Sequence, residues 1–141
     1  MGMTRYAHYT FSAHPGIYPF LDPELALWVW RHLANAFPDA LAACLVPNHG
    51  HLAAPDEQSV GAHRIARILG ASSRSLGAPR GRGAIWQPVP PPSELTTADK
   101  LRRGVRYTWL NCCRPVRLHD RHVQLTDDPL VWPWSTLRDV V

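Results

Sequence analysis

The sequence of 141 residues lacks the features that mark a secreted, disulfide-stabilised or membrane-spanning protein. Its three cysteines, Cys44, Cys112 and Cys113, form an odd set with one adjacent pair, which matches neither a disulfide framework nor a zinc-binding spacing. No run of about eighteen apolar residues is present, and the N-terminus has no basic start followed by an apolar stretch. We therefore expect a single cytoplasmic domain over residues 1–141 with no membrane segment.

Lysine is also nearly absent, because Lys100 is the only one and arginine supplies the other basic side chains behind the formal net charge of +4. Arginine contacts phosphate groups through two parallel hydrogen bonds, so this bias favours a polyanionic partner such as nucleic acid. A GC-rich genome would produce the same bias, and this compositional explanation remains open. With 45% hydrophobic and 18% charged residues, the chain has the composition of a globular domain.

The apolar pattern predicts a small sheet. Alternation predicts a strand over 5–13, and a continuous apolar run predicts a buried strand over 40–46, which forms a hairpin with a strand over 49–54. A short strand is expected around 84–88, and the proline-rich stretch 88–92 is interpreted as a stiff connector.

Three segments have helical spacing. The first begins at Asp22 as N-cap and ends near Phe37, the second covers 60–76, and the third begins at Thr96 as N-cap and ends near Cys113. The resulting order βαββαβα predicts an α+β fold in which helices pack on an antiparallel sheet.

The segment Leu45–Leu52 contains two histidines, His49 and His51, separated by one residue. Alternate residues of a strand point to the same side of the sheet, so both imidazoles are expected on one face, where they can hold a divalent cation. Two solvent-facing histidines on a half-buried strand would give the same pattern, and the motif by itself does not decide between these interpretations.

The third predicted helix carries a tyrosine among basic residues. Away from its apolar side, the helical wheel groups Lys100, Arg103, Tyr107, Asn111 and Arg114. A phenol is protonated at neutral pH and attacks phosphate poorly, so it needs nearby positive charge or a metal. Arginines and a histidine-bound cation would supply both, and the Asn111 oxygen would complete a metal shell that suits Mg²⁺ or Mn²⁺, with Zn²⁺ not excluded. A surface tyrosine on a basic face is the alternative.

Three segments resemble, in order, the signatures of REP-associated tyrosine transposases, which are single-tyrosine HUH transposases. Leu45–Leu52 looks like their MPNHVHLL motif, and Arg106–Asn111 followed by Arg114–Arg117 is similar to their RYIHLNPVRAG helix. Val131–Asp139 resembles their YPWSSYRDY terminus. The resemblance implies the ferredoxin/RRM-like HUH fold over nearly the whole chain.

The resemblance also implies roles for individual residues. His49 and His51 would bind the metal with Asn111, and Tyr107 would be the catalytic nucleophile. Enzymes of this family cut single-stranded DNA near hairpins, leaving a 5′-phosphotyrosine and a free 3′-hydroxyl that can attack back. We therefore expect a metal-dependent DNA endonuclease and strand transferase with Mg²⁺ or Mn²⁺ as cofactor and hairpin or single-stranded DNA as partner. The proline-rich connector is compatible with a homodimer or a monomer.

Arginines on and after the second and third helices are candidate DNA contacts, because a basic surface tracks the phosphate backbone. The candidate set is Arg64, Arg67, Arg74, Arg80, Arg82, Arg103 and Arg114. An ordinary solvated helix face explains the second-helix members as well. Trp86 and Trp109 are better explained as core residues than as stacking platforms for bases.

Two departures from the family pattern keep other functions open. Gly50 replaces the bulky residue between the histidines, and the stretch after Asn111 is altered. The alternatives are a replication initiator or relaxase of the HUH superfamily, a relative that binds hairpin DNA without cutting it, and a metal-binding module unrelated to DNA. The remaining six histidines are expected at the surface, and His8 is the one whose strand borders the site.

Overall fold

The computed structural model describes residues 4–75 and 85–137. Its main sheet is antiparallel, with strand order β2-β3-β1-β4, and consists of β1 (Tyr6–Ser12), β2 (Ala42–Val46), β3 (His49–Pro55) and β4 (Ser93–Glu94). The helices are α1 (Pro23–Ala36), α2 (Gly61–Ser75) and α3 (Ala98–Leu110). A second hairpin follows, with strands β5 (Val116–Leu118) and β6 (Arg121–Val123). The predicted α+β class and the order βαββαβα are confirmed, and the strand order is that of ferredoxin-like folds.

The two faces of the sheet have different partners. Phe11 and its alternate neighbours on β1 are buried in the main core with side chains of α1 and α2. Residues that oppose each other across antiparallel strands share a face. Because Thr10 pairs with His51 and Ser12 with His49, the two histidines lie on the face that α1 and α2 do not cover.

A second, smaller core lies on the histidine face. It joins Cys44 and Val46 of β2 to Cys112 and Val116, which follow α3. Helix α3 therefore packs on the side of the sheet opposite α1 and α2, where it contacts β2 and β3. The three cysteines are free thiols, and Cys44 and Cys112 are buried among apolar side chains.

The helix starts and ends differ slightly from the prediction. Asp22 caps α1 as expected, since its carboxylate accepts a hydrogen bond from the Glu24 backbone N–H at 2.9 Å. Thr97 rather than Thr96 caps α3, because Thr97 has extended backbone angles and its hydroxyl accepts from the Lys100 N–H at 3.1 Å. Helix α3 ends at Leu110, and residues 111–113 form a tight 3-10 turn before Pro115.

The prediction of a strand around 84–88 was wrong for residues 85–88, the part of this segment that the structure describes. Ala84 lies outside the described residues, and Trp86 makes only an isolated bridge to Ala13. The fourth strand is instead β4, which pairs with β1 after the proline-rich stretch 88–92. Proline has no backbone N–H to donate, so a continuous ladder can resume only beyond that stretch.

The C-terminal segment covers the free edge of β2. The Leu45 N–H donates to the Trp134 carbonyl at 2.8 Å, and the Thr136 N–H donates to the Ala43 carbonyl at 3.0 Å. The Trp132 indole N–H donates to the Leu45 carbonyl at 2.7 Å. The edge is therefore occupied by the chain itself. Among the described helices, none is long and apolar enough to cross a membrane.

Candidate active site

An open hollow lies on the histidine face of the sheet, beneath α3. Six polar or titratable residues from β1, β3 and α3 line it: His8, Thr10, Ser12, His49, His51 and Tyr107. Strand alternation explains this composition, because these residues of β1 and β3 all point away from the main core.

Tyr107 lies at the solvent-accessible side of this hollow, with 38% of its surface exposed. Its ring stands edge-on to His51, with centroids 5.3 Å apart, and edge-on to His8 at 5.8 Å. The guanidinium carbon of Arg114 lies 4.3 Å from the centre of the tyrosine ring. The phenol is therefore accessible to a substrate and has a cation directly beside it.

His49 contacts an amide oxygen at each ring nitrogen. Its Nδ1 lies 2.7 Å from Asn48 Oδ1, and its Nε2 lies 3.0 Å from Asn111 Oδ1. Burial lowers the pKa of His49, although the contact with Asn111 acts in the opposite direction. A neutral imidazole has one N–H, so only one of these contacts is a hydrogen bond. In the other contact, a lone pair of the ring nitrogen faces a lone pair of the amide oxygen. Rotating the amide, or placing a cation between the two atoms, would remove this repulsion.

His51 is buried, with 5% of its surface exposed, and its Nε2 has no hydrogen-bond partner. Its Nδ1 lies 3.2 Å from His8 Nε2 and 3.4 Å from Thr10 Oγ1. Burial lowers the pKa of His51 to about 3, and repulsion from His49 and His8 in their protonated forms, and from the Arg114 guanidinium, adds to this shift. His51 is therefore a neutral imidazole at physiological pH.

These donors fit a divalent cation. The Nε2 of His51 is a buried polar atom without a hydrogen-bond partner. Two ligand atoms that each lie about 2.1 Å from an ion, at right angles to one another, are about 3.0 Å apart. His49 Nε2 and Asn111 Oδ1 are 3.0 Å apart, a separation that suits two ligands of one cation and equally a hydrogen bond. Within residues 4–75 and 85–137, no group of three or more His, Cys, Asp or Glu side chains is arranged to hold a metal. The candidate set is accordingly two imidazoles and an amide oxygen, which leaves coordination positions for a substrate.

The structure brings together most of the residues predicted for the chemistry. Asn111 is buried and contacts His49, and Arg114 packs on the tyrosine that the sequence predicted as nucleophile. Arg103 lies one turn before Tyr107 on α3, where it pairs with Asp99 at 3.3 Å on an exposed surface.

The arginines of α2 are separated from this hollow by the sheet. Arg64 and Arg67 are exposed, and Ile65 on the same helix is buried in the main core on the other side of the sheet. Arg80 and Arg82 lie outside the described residues, and so does the side chain of Arg74. Arg64 and Arg67 stay candidate DNA contacts, on the opposite side of the sheet from the hollow. Helical spacing alone does not reveal which sheet face a helix covers.

Sequence reasoning missed the contributions of β1. His8, Thr10 and Ser12 line the hollow, although only His8 was singled out as bordering it. The alternation of this strand was visible, but its pairing with the histidine strand depends on long-range register. The tryptophans are structural: Trp86 is buried in the main core, and the Trp109 N–H donates to Thr136 Oγ1 at 2.9 Å.

The architecture is that of an α+β domain with a ferredoxin-like sheet, one face of which carries a cluster of histidines beneath a tyrosine helix. Among solved structures, a REP-associated tyrosine transposase bound to a REP hairpin has a similar fold, with a TM-score of 0.74 and 18% sequence identity. The similarity covers 99% of this chain and 82% of the other. No protein-family model matches the sequence, and no curated protein matches it. At this identity the likeness shows a shared fold.

Proposed function

We propose that the protein is a metal-dependent single-tyrosine DNA endonuclease and strand transferase that acts on hairpin or single-stranded DNA. The observation that carries this proposal is the meeting of Tyr107, His49 and His51 around one open hollow, with Asn111 in contact with His49. These residues come from β3 and from α3 and the turn after it, which are distant in sequence. A surface tyrosine or a pair of solvent-facing histidines would not require their convergence. The fold shared with a transposase solved on hairpin DNA also supports the proposal.

In the proposed reaction, the Tyr107 oxygen attacks the phosphorus of the scissile phosphodiester. The new bond joins the tyrosine to the 5′-phosphate, the bond from phosphorus to the 3′-oxygen breaks, and the proton of the phenol is balanced by the one that the 3′-hydroxyl gains. The number of phosphoester bonds is unchanged, so the 3′-hydroxyl can attack back without an external energy source. Arg114 lies beside the tyrosine ring and is positioned to offset the negative charge of the phosphate.

His49, His51 and Asn111 would hold Mg²⁺ or Mn²⁺, which neutralises charge on the phosphoryl oxygens when bound. The nitrogen ligands favour Mn²⁺ over Mg²⁺. Burial keeps the two imidazoles neutral, so their lone pairs are available to a cation at physiological pH. With Nε2 of His49 on the metal, its Nδ1 would carry the proton and donate to the Asn48 oxygen 2.7 Å away, which would orient the ring.

A basic surface next to the tyrosine would bind the DNA backbone. We define the basic ribbon as the β5–β6 hairpin, residues 116–123, in which Arg117, Arg121 and His122 are exposed. The ribbon follows Arg114 directly, and its turn is held by the His119 backbone N–H, which donates to Tyr18 Oη at 2.8 Å. This surface lies on the same side of the sheet as the hollow, since Val116 belongs to the second core.

The proposal is tested by trapping the covalent intermediate. Wild-type protein, Tyr107→Phe and the control Tyr6→Phe are incubated with hairpin oligonucleotides drawn from repeats flanking the gene, in Mg²⁺, Mn²⁺ or EDTA. We expect a denaturation-resistant protein–DNA band with wild type and Tyr6→Phe that requires the metal. The band should fall to background with Tyr107→Phe, because phenylalanine keeps the ring but has no nucleophilic oxygen.

Two outcomes contradict the proposal in different ways. Hairpin binding by wild type without an adduct in any metal would favour a relative that binds hairpin DNA without cutting it. An adduct that survives in Tyr107→Phe would assign the nucleophile elsewhere, as in an HUH initiator or relaxase that uses a second tyrosine.

A further inference from the structure

We infer that His8 is a positioning residue that holds the proton of His51 on Nδ1 and thereby leaves the Nε2 of His51 unprotonated. The consequence for metal binding rests on the function proposed above, whereas the proton position is a property of the metal-free protein. His8 has no role in the proposed reaction, although it lines the same hollow.

The two rings are placed for a hydrogen bond between their nitrogens, because His51 Nδ1 and His8 Nε2 are 3.2 Å apart. The ring planes are inclined by only 9° and the centroids are 5.2 Å apart, which describes an offset stack. In this arrangement the N–H of one imidazole can donate to the lone pair of the other.

The direction of this hydrogen bond follows from the surroundings of His51. A hydrogen bond between two ring nitrogens needs one N–H and one lone pair, so one of the two rings is the donor and the other the acceptor. If His8 donated, the His51 proton would be on Nε2, where the structure offers no acceptor. Buried N–H groups without acceptors are rarer than buried acceptors without donors. His51 is therefore the donor and His8 Nε2 the acceptor.

Thr10 does not account for the same effect. Its Oγ1 lies farther from His51 Nδ1, at 3.4 Å, and a hydroxyl can donate or accept, so it is compatible with either proton position. His8 itself is half-buried. A histidine that binds a metal commonly donates its other N–H to such a partner, and losing the partner weakens metal binding by about 10–100-fold.

The decisive measurement is the ¹⁵N NMR spectrum of the histidine side chains in the metal-free protein at neutral pH. Wild type should show His51 protonated on Nδ1, and His8→Ala should shift the proton toward Nε2. His8→Gln should restore the wild-type pattern, because its amide oxygen can accept in place of Nε2. His63→Ala, which removes an exposed histidine from α2, is the matched control and should leave His51 unchanged.

Mn²⁺ binding, followed by the electron paramagnetic resonance signal of the free ion, supplies the second readout. We expect His8→Ala to bind about 10–100-fold more weakly than wild type and His8→Gln to recover most of the difference.

An unchanged His51 proton position in His8→Ala overturns the inference whatever the metal result. If wild type binds no Mn²⁺ and forms no DNA adduct, the proposed function fails, while the NMR comparison still decides the role of His8. If His8→Ala does not fold, the His51 proton position is compared among wild type, His8→Gln and Thr10→Val. A shift of this proton in Thr10→Val alone overturns the inference.

Discussion

Gly50 shows how a single residue between the two histidines is accommodated. A side chain at this position would point into the main core, where an ideal Cβ lies 2.8 Å from Leu45 Cδ2 and 2.5 Å from Phe11 Cε2. The Phe11 ring therefore occupies the space that a side chain at position 50 would need. Because position 50 faces the main core, the glycine there leaves His49 and His51 together on the other face of the sheet.

We expect Gly50→Val to destabilise the protein by about 1–3 kcal/mol, since the added side chain overpacks a filled core. Urea denaturation followed by tryptophan fluorescence measures the change in the free energy of unfolding. The same substitution in a Phe11→Leu background should cost less, because the smaller side chain leaves room. An equal cost in both backgrounds would show that Phe11 does not exclude the side chain at position 50.

At the scale of elements, the structure separates two basic surfaces that the sequence could not distinguish. Helix α2 presents Arg64 and Arg67 on the side of the sheet away from Tyr107. The basic ribbon presents Arg117 and Arg121 on the side of the hollow. Under the proposed function, we expect a DNA strand whose phosphate reaches the tyrosine to contact the ribbon rather than α2.

Replacing Arg117 and Arg121 together by serine should weaken hairpin binding and flatten its salt dependence. Removing one phosphate-binding arginine lowers the slope of log K against log salt concentration by about 0.7–0.9, so removing the pair should lower it by about 1–2. Fluorescence anisotropy across a salt series measures the slope. The matched variant Arg64→Ser with Arg67→Ser should leave it nearly unchanged. The reverse result would place the DNA on the α1–α2 face, as the sequence suggested.

Elements with strong local signals were predicted well, and short ones were not. Helix α1 has an Asp-Pro start and a proline beyond its end, which are local signals. Strand β4 has two residues, too few for a periodic pattern. The basic ribbon turns at His119 and Asp120, whose φ angles of 47° and 66° are usually marked in sequence by glycine or asparagine. Its turn was therefore invisible in the sequence.

At the scale of the whole molecule, Thr136 links three parts of the chain. Its hydroxyl oxygen accepts from the Ala43 backbone N–H at 3.0 Å and from the Trp109 indole N–H at 2.9 Å. The C-terminal segment, the edge strand β2 and the helix that carries Tyr107 thus meet at one side chain. Through this junction the Trp-Pro-Trp-Ser-Thr stretch contacts the helix that carries Tyr107, although it does not line the hollow.

Thr136→Val should destabilise the protein by about 2 kcal/mol, because the substitution keeps the volume but leaves two half-buried or buried donors without an acceptor. Thr4→Val, at an exposed position, is the matched control and should change the free energy of unfolding by less than about 0.5 kcal/mol. Thermal or urea unfolding measures both. Equal stability of the two variants would show that these hydrogen bonds make no net contribution.

The sequence by itself determined the α+β class, the order of the main elements and the residue types of the candidate site. These depend on local properties, namely caps, alternation and helical spacing, which act between residues a few positions apart. Only the tertiary structure decided that His8 joins His51 across 43 positions and that Asn111 meets His49 across 62. It also decided that α2 and the tyrosine helix cover opposite faces of the sheet. The physical reason is that strand register and the side on which a helix packs are set by contacts distant in sequence, which no local pattern records.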